Sequence, residues 1–430
     1  MRIHVVAGAM LLLSSVAAAQ QTQPSAPPAA RPSASAEVYG RLPAISDAAI
    51  SPDGHRIALA TTSANGQSRV VVLDLETGHS AGANVPEGGQ LRGVDWANDQ
   101  YVSFILSQTF SPGQVLPMGY FYQGGPRRVD FYRTGLLDAN ANSARLLTTN
   151  PESQWADQGA NLFAPIEGEP NTGRMFGRDH ENLLALYTVD LRTGRTRGSA
   201  PRGGNEHTLG YELDESGHIY ARYDSDERTN RWRIFLYEND SARLLTEGVS
   251  EIGDPISIMG LLPDNRIVVS ERPEGSDFEA LYIMDRTTGA RTPFLSQEGT
   301  DVSVALHDRW SHRIVGAAWR DERDRVRYFE PDLQSAYERI EAAFGGDNPF
   351  IVAWSRDRNR FLVFAERGLD GGGYYVYDRT NNTLRLIGLC YPELRGTAQG
   401  ERQSINYAAR DGVRIPAFLT YPPGAERRNL

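Results

Sequence analysis

The chain has 430 residues, 40% hydrophobic and 23% charged, with a formal net charge of -10. That balance belongs to a folded globular protein, long enough for two or three average domains or one large repeat-built domain, and it excludes global disorder. All 44 basic residues are arginine and lie scattered rather than in a basic stripe, so the acidic chain offers no footprint for nucleic acid.

In chain order, Met1 to Ala19 pairs one early arginine with a short apolar run and ends with Ala17 and Ala19 in A-x-A spacing. This predicts a secretory signal peptide over 1–19, and hence a periplasmic or extracellular protein. No cysteine follows at the cleavage point, and no other apolar run approaches the ~20 residues of a membrane span. The segment "QQTQPSAPPAARPSASA", residues 20–36, reads as a disordered tether. The single cysteine, Cys390, cannot form an internal disulfide and is expected to be buried and inert.

From Glu37 onward, short apolar or alternating runs are separated by turn residues with almost no helical periodicity, the pattern of many short antiparallel strands. Two signals alternate. The first is a strand, a polar turn and a second strand, as in "AAISPDGHRIALA", "YELDESGHIYARY", "VALHDRWSHRIVGAA" and "VAWSRDRNRFLVFA". The second is a strand ending in an acidic turn, marked by Asp74, Asp138, Asp190, Glu238, Asp285, Pro331 and Asp378. These markers converge on a unit of about 50 residues, the signature of four-stranded propeller blades that bury their faces only by stacking on their neighbours. The expectation is an all-β, seven-bladed β-propeller over 37–395, with six or eight blades as the alternatives.

"GHSAG", residues 78–82, matches G-x-S-x-G and raises Ser80 as a hydrolase nucleophile. However, Gly78 closes "DLETG", and the same turn returns as "DLRTG" and "DRTTG" without the serine. A proline and three glycines follow within nine residues where a nucleophile elbow needs a helix, so Ser80 reads as part of a hairpin. The histidines, His4, His55, His79, His180, His207, His218, His307 and His312, show no metal spacing and read as solvated turn residues. "DSDERTN" from Asp224 lacks the remaining ligands of a calcium loop and reads as a solvated hairpin, while "GLDGGGYY" from Gly368 fits an inter-strand loop. No catalytic, cofactor-binding or metal-ligating residue is assigned.

After the seventh unit, Ser404 to Gly424 form a strand, an Asp411-Gly412 turn and a second strand outside the repeat. Here the sequence resembles the secreted prolyl oligopeptidase family of serine peptidases, including acylaminoacyl-peptidase-like and dipeptidyl-peptidase-like members. "LPAISDAAISPDGHRIALA" is similar to the start of their first blade, and "YAARDGVRIPAFLTYPPG" to the hairpin that opens their α/β-hydrolase domain. The resemblance implies that 396–430 begin an incomplete hydrolase domain. It also implies that the Ser-His-Asp triad lies C-terminal to this hairpin, and that the partners are a peptide substrate and that intramolecular domain. On this expectation the 430-residue chain is a propeller fragment, inactive alone, of an exported peptidase whose propeller restricts access to short peptides. The alternative from another class is a stand-alone TolB-like periplasmic binding module, in which the final hairpin would be an orphan. A small esterase using Ser80 lacks the required α/β alternation.

Overall fold

The computed structural model describes residues 33–110, 129–140, 143–147, 162–179, 181, 183–201, 203–238, 241–250, 256–321, 323–345, 349–366 and 371–423. The expected signal peptide, nearly all of the tether, His4, His180, residues 367–370 of the glycine-rich loop and residues 424–430 lie outside the described residues.

Seven antiparallel sheets follow one another along the chain, each built from consecutive strands. Blade 1 holds β1 (Ile45–Ile50), β2 (Arg56–Thr62), β3 (Ser68–Asp74) and β4 (Ser80–Asn84); blade 2 holds β5 (Gly89–Trp96), β6 (Tyr101–Phe110), β7 (Val129–Asp138) and β8 (Ser143–Leu146). Blade 3 has three strands, β9 (Thr172–Arg178), β10 (Leu184–Asp190) and β11 (Thr196–Ser199), with the Phe163–Arg174 bridge on its inner side. Blade 4 comprises β12 (Thr208–Leu213), β13 (Ile219–Asp226), β14 (Arg231–Glu238) and β15 (Ser241–Val249); blade 5 comprises β16 (Ile256–Leu261), β17 (Ile267–Glu271), β18 (Ala280–Met284) and β19 (Arg291–Leu295). Blade 6 has β20 (Val304–His307), β21 (Ile314–Arg320) and β22 (Asp324–Tyr328), and blade 7 has β23 (Phe350–Trp354), β24 (Arg360–Ala365), β25 (Gly373–Asp378) and β26 (Thr383–Leu389). A separate ribbon of β27 (Glu401–Ala408) and β28 (Arg414–Tyr421) follows. The seven-bladed reading is therefore correct.

The repeated acidic turn has a physical cause. In blade 1 a carboxylate oxygen of Asp74 accepts the N–H groups of Glu76 and Thr77 and the Thr77 hydroxyl, and in blade 5 Asp285 does the same for Thr287 and Thr288. Asp190 accepts the N–H groups of Arg192 and Thr193. Each turn then closes on a glycine at φ near +71°, a backbone conformation that strains any residue with a Cβ. Gly78 is one of these, and Ser80 is simply the exposed first residue of β4, paired with Leu73.

Blade 6 differs from the sequence expectation at its fourth position. Where "RYFEPDLQS" suggests another acidic turn and closing strand, Pro331–Phe344 form a helix. Proline at the first turn needs no N–H partner, and Leu333, Ala336, Tyr337, Ile340 and Phe344 form one buried stripe before Gly345 stops the helix in the left-handed conformation. The Gln334 side chain accepts the Tyr328 N–H at 2.9 Å, covering the outer edge of β22 where a fourth strand would pair.

The core lies between blades, as stacking requires. Separate apolar clusters occupy the seams between blades 1 and 2, 2 and 3, 4 and 5, 5 and 6, 6 and 7, and 7 and 1. Blades 3 and 4 meet instead through the Phe176–Tyr211 stack and the Glu167 N–H on the Glu215 carbonyl, 3.0 Å. Among the described residues the ring closes without strand exchange between blade 1 and blade 7. Blades 7 and 1 are joined by Ile50, Ile57, Leu362 and Val376 in the core and by Arg360 donating to the Gly54 carbonyl and Arg385 to the Leu75 carbonyl.

Because strands alternate in direction, the first-to-second turns all lie at one end of the ring. The approach to β1 and the exit from β26 lie at the other, where the Ala44 N–H meets the Cys390 carbonyl at 2.7 Å. Cys390 itself is 6% exposed, and burial pushes its thiol up to about 11, as expected of an inert cysteine.

Candidate functional site: the axial channel and its plug

The inner strands surround cavities on the ring axis. One, of about 680 Å³, has apolar walls from Phe104, Ile105, Leu162, Phe163 and Phe176 and polar walls from Asp47, Arg92 and Asp95. A second, of about 810 Å³, lies at the end carrying the first-to-second turns and draws on blades 2 to 7, with Asn98, Glu167, Glu215, Pro263, Asp308 and Arg356 at its rim. A third, of about 190 Å³, runs between Tyr211, Glu212, Tyr220 and His307.

What separates the first two cavities is the turn of blade 6, Asp308–Arg313. Arg309 crosses to blade 2, placing Nε 2.6 Å from an Asp95 carboxylate oxygen and Nη2 3.3 Å from the Trp96 carbonyl. Trp310 donates its indole N–H to the Trp354 carbonyl of blade 7 at 2.8 Å and packs against the clusters of both the 1–2 and 6–7 seams. The guanidinium groups of Arg309 and Arg356 lie 6.0 and 5.8 Å from its ring. His312 donates from Nε2 to the Pro165 carbonyl at 2.8 Å and stacks on Phe163 with ring centroids 3.8 Å apart, reaching blade 3. Arg313 bonds to Glu215 of blade 4 and to the Leu262 carbonyl of blade 5. Asp308, 6% exposed, anchors the base of the turn on Arg358 at 2.8 Å, and Glu330 bonds the same guanidinium. One turn thus bonds to blades 2, 3, 4, 5 and 7 and packs against the 1–2 seam, a reach that places it on the axis.

Glu212, His312, Asp47 and His307 are held toward their neutral forms in the channel. Desolvation raises Glu212 to about 7 and lowers His312 to about 4. Burial also raises Asp47, partly offset by the N–H groups of Val94 and Ala48 on its carboxylate. His307 stays accessible from the channel while the surrounding walls lower its pKa, and its Nε2 meets the Met259 carbonyl at 2.8 Å.

Several sequence readings are corrected here. His312 is a half-buried plug residue rather than a solvated turn residue, because the turn that carries it points to the axis, while His307, the exposed last residue of β20, lines the third cavity rather than a turn. His55, His79 and His218 are exposed, as expected. Asp224 does not sit in a solvated hairpin. It is 2% exposed, paired with Arg222 at 2.9 Å and bonded by Thr208 and Asn205, so its carboxylate is fully engaged within blade 4. Ser80 lies on the outer strand of blade 1, and among the described residues no hydrogen bond engages its hydroxyl. The plug was missed, although the signal was present: "HDRWSHR" puts tryptophan, histidine and two arginines where other blades carry Gly, Asn or Pro.

No protein-family model matches the sequence. A dipeptidyl aminopeptidase BIII from Pseudoxanthomonas mexicana is 26% identical over 172 residues, 40% of this chain and 24% of that enzyme. Among solved structures, a prolyl endopeptidase superposes with a TM-score of 0.54 at 13% identity, covering 90% of this chain and 55% of its own. Prolyl oligopeptidase B from Galerina marginata gives 0.51 at 10% identity, covering 88% and 55%. These likenesses show that the chain shares the propeller fold of the prolyl endopeptidase and prolyl oligopeptidase structures. It spans about half the length of these solved structures, and its match to the aminopeptidase covers a quarter of that protein. Among the described residues no helix is long and apolar enough to cross a membrane.

Proposed function

We propose that this propeller serves an exported serine peptidase of the prolyl oligopeptidase family. In this reading β27 and β28 open its α/β-hydrolase domain, and the propeller covers the active site and admits short peptides. The observation that carries the reading is the exposed ribbon. Tyr407, Val413, Phe418 and Leu419 are 51%, 58%, 60% and 37% exposed, and the consecutive Phe418 and Leu419 point to opposite faces of the strand. A two-stranded ribbon with apolar side chains on both faces is unstable in water without further structure against it. The ribbon also leaves the ring at the end opposite the plug, so a domain built on it would face the channel from that end. Acyl transfer by a triad in that domain would then draw its peptide from the channel side.

The test is to read the coding frame beyond the Leu430 codon. The reading expects an HGG-type loop, a G-x-S-x-G between strand and helix, and then Asp and His in that order. An immediate stop codon with a stable exported 430-residue product would favour the binding module.

A further inference from the structure

We propose that Asp308–Arg313 is a resident plug that makes the axial channel a blind chamber, and that Arg309 and Trp310 thereby set the greatest length of peptide the chamber takes. The length claim rests on the peptidase reading above; the plug itself rests on geometry alone. The turn is anchored on both sides of the axis by groups of different blades: Asp95 and Pro165 opposite, Glu215 and Leu262 to one flank, Trp354 and Arg358 to the other. Several independent anchors keep a loop shut even where each is weak, because opening must break them together. The chamber beyond, about 680 Å³, is of the size that encloses a small-molecule ligand and so holds only a short stretch of peptide. Its apolar wall of Phe104, Phe163 and Phe176 suits side chains, and Asp47, Arg92 and Asp95 suit backbone and termini. A peptide entering from the ribbon end meets Arg309 and His312, which wall this cavity, with Trp310 behind them on the side of the second cavity, and can extend no farther. Selection is then by length and not by sequence.

The experiment places cysteines on either side of the plug, Arg92→Cys in the chamber and Glu167→Cys in the opposite mouth, in a Cys390→Ala background of the full chain. A flexible bis-maleimide too short to pass round the outside of the ring is added, and cross-linked peptides are quantified by mass spectrometry. With the plug intact, each cysteine is modified singly and no cross-link forms. With Arg309→Gly and Trp310→Gly together, the cross-link rises at least tenfold. If the double variant does not fold, Arg309→Ala, which removes the Asp95 anchor and leaves the Trp310 packing, gives a smaller rise. A cross-link of equal yield with the plug intact, or no rise in any folded plug variant, overturns the proposal. In the complete peptidase, the ratio of kcat/KM for long over short peptides rises in the plug variants, and an unchanged ratio refutes the length claim. A product that cleaves no peptide refutes the peptidase reading and leaves the cross-linking result standing.

Discussion

The first-to-second turns of blades 1, 7 and 6 occupy one position in the repeat and share a backbone frame, closed by Ser51 N–H on Arg56, Ser355 N–H on Arg360 and Asp308 N–H on Arg313. In blades 1 and 7 the polar groups satisfy one another. The Ser51 and Ser355 hydroxyls donate to Asp53 and Asp357 at 2.5 and 2.6 Å and accept the Arg56 and Arg360 N–H groups. In blade 6 an aspartate replaces the serine, and Arg309, Trp310 and His312 are left free to reach across the ring. The same position makes a rim in one blade and a plug in another, and backbone and side chains both differ. Gly54 and Arg358, fourth in their turns, are left-handed and donate to the Ser51 and Ser355 carbonyls, whereas in blade 6 the left-handed residue is the fifth, His312, which donates to the Asp308 carbonyl.

The largest effect should separate seam from plug. Trp96 is fully buried at the 1–2 seam and donates to the Ala49 carbonyl, so Trp96→Ala should cost about 3–5 kcal/mol by urea unfolding, against roughly half that for the half-buried Trp310→Ala. Equal costs would break the distinction.

Next, Asp308→Ala removes the buried anchor of the plug and should cost about 2 kcal/mol, since Arg358 keeps Glu330 as a partner. Ser355→Ala, which loosens only a turn that closes on itself, should cost less in the same assay.

The channel groups predict opposing pH effects. Glu212, raised from 4.5 to about 7, keeps a proton that the unfolded chain releases, so its contribution to stability is present below pH 4.5 and lost as pH rises through 7. Glu212→Gln should therefore be the more stable chain above pH 7, by roughly 1–3 kcal/mol, and the difference should vanish below pH 4.5. His312, lowered from 6.5 to about 4, acts in the other direction, with stability present above pH 6.5 and lost as pH falls through 4. Melting curves from pH 4 to 8 on Glu212→Gln and His312→Gln resolve the two.

Smaller still, Arg309→Ala should change stability by no more than about 1 kcal/mol, since the Asp95 partner is solvent-accessible, while changing passage along the axis. Ser80→Ala, on an exposed strand start, should stay within about 0.5 kcal/mol.

The blade count was legible in the sequence because Asp74, Asp190 and Asp285 each organise a turn locally, and local chemistry survives in a one-dimensional pattern. The helix Pro331–Phe344 was masked because Pro331 falls on the repeat spacing of the acidic turns, although Leu333, Ala336, Tyr337 and Ile340 carry the helical period. The channel was not legible. Asp95 and Arg309 are 214 residues apart, and nothing in either neighbourhood names the other. Asp224 shows the same limit, its burial being set by Arg222, Thr208 and Asn205 together.

The most direct test of the account is a peptidase assay on the product of the complete reading frame with short chromogenic aminoacyl peptides. The account predicts hydrolysis that a serine-directed inhibitor abolishes and that Ser80→Ala leaves intact. No hydrolysis, or hydrolysis lost in Ser80→Ala, would contradict it.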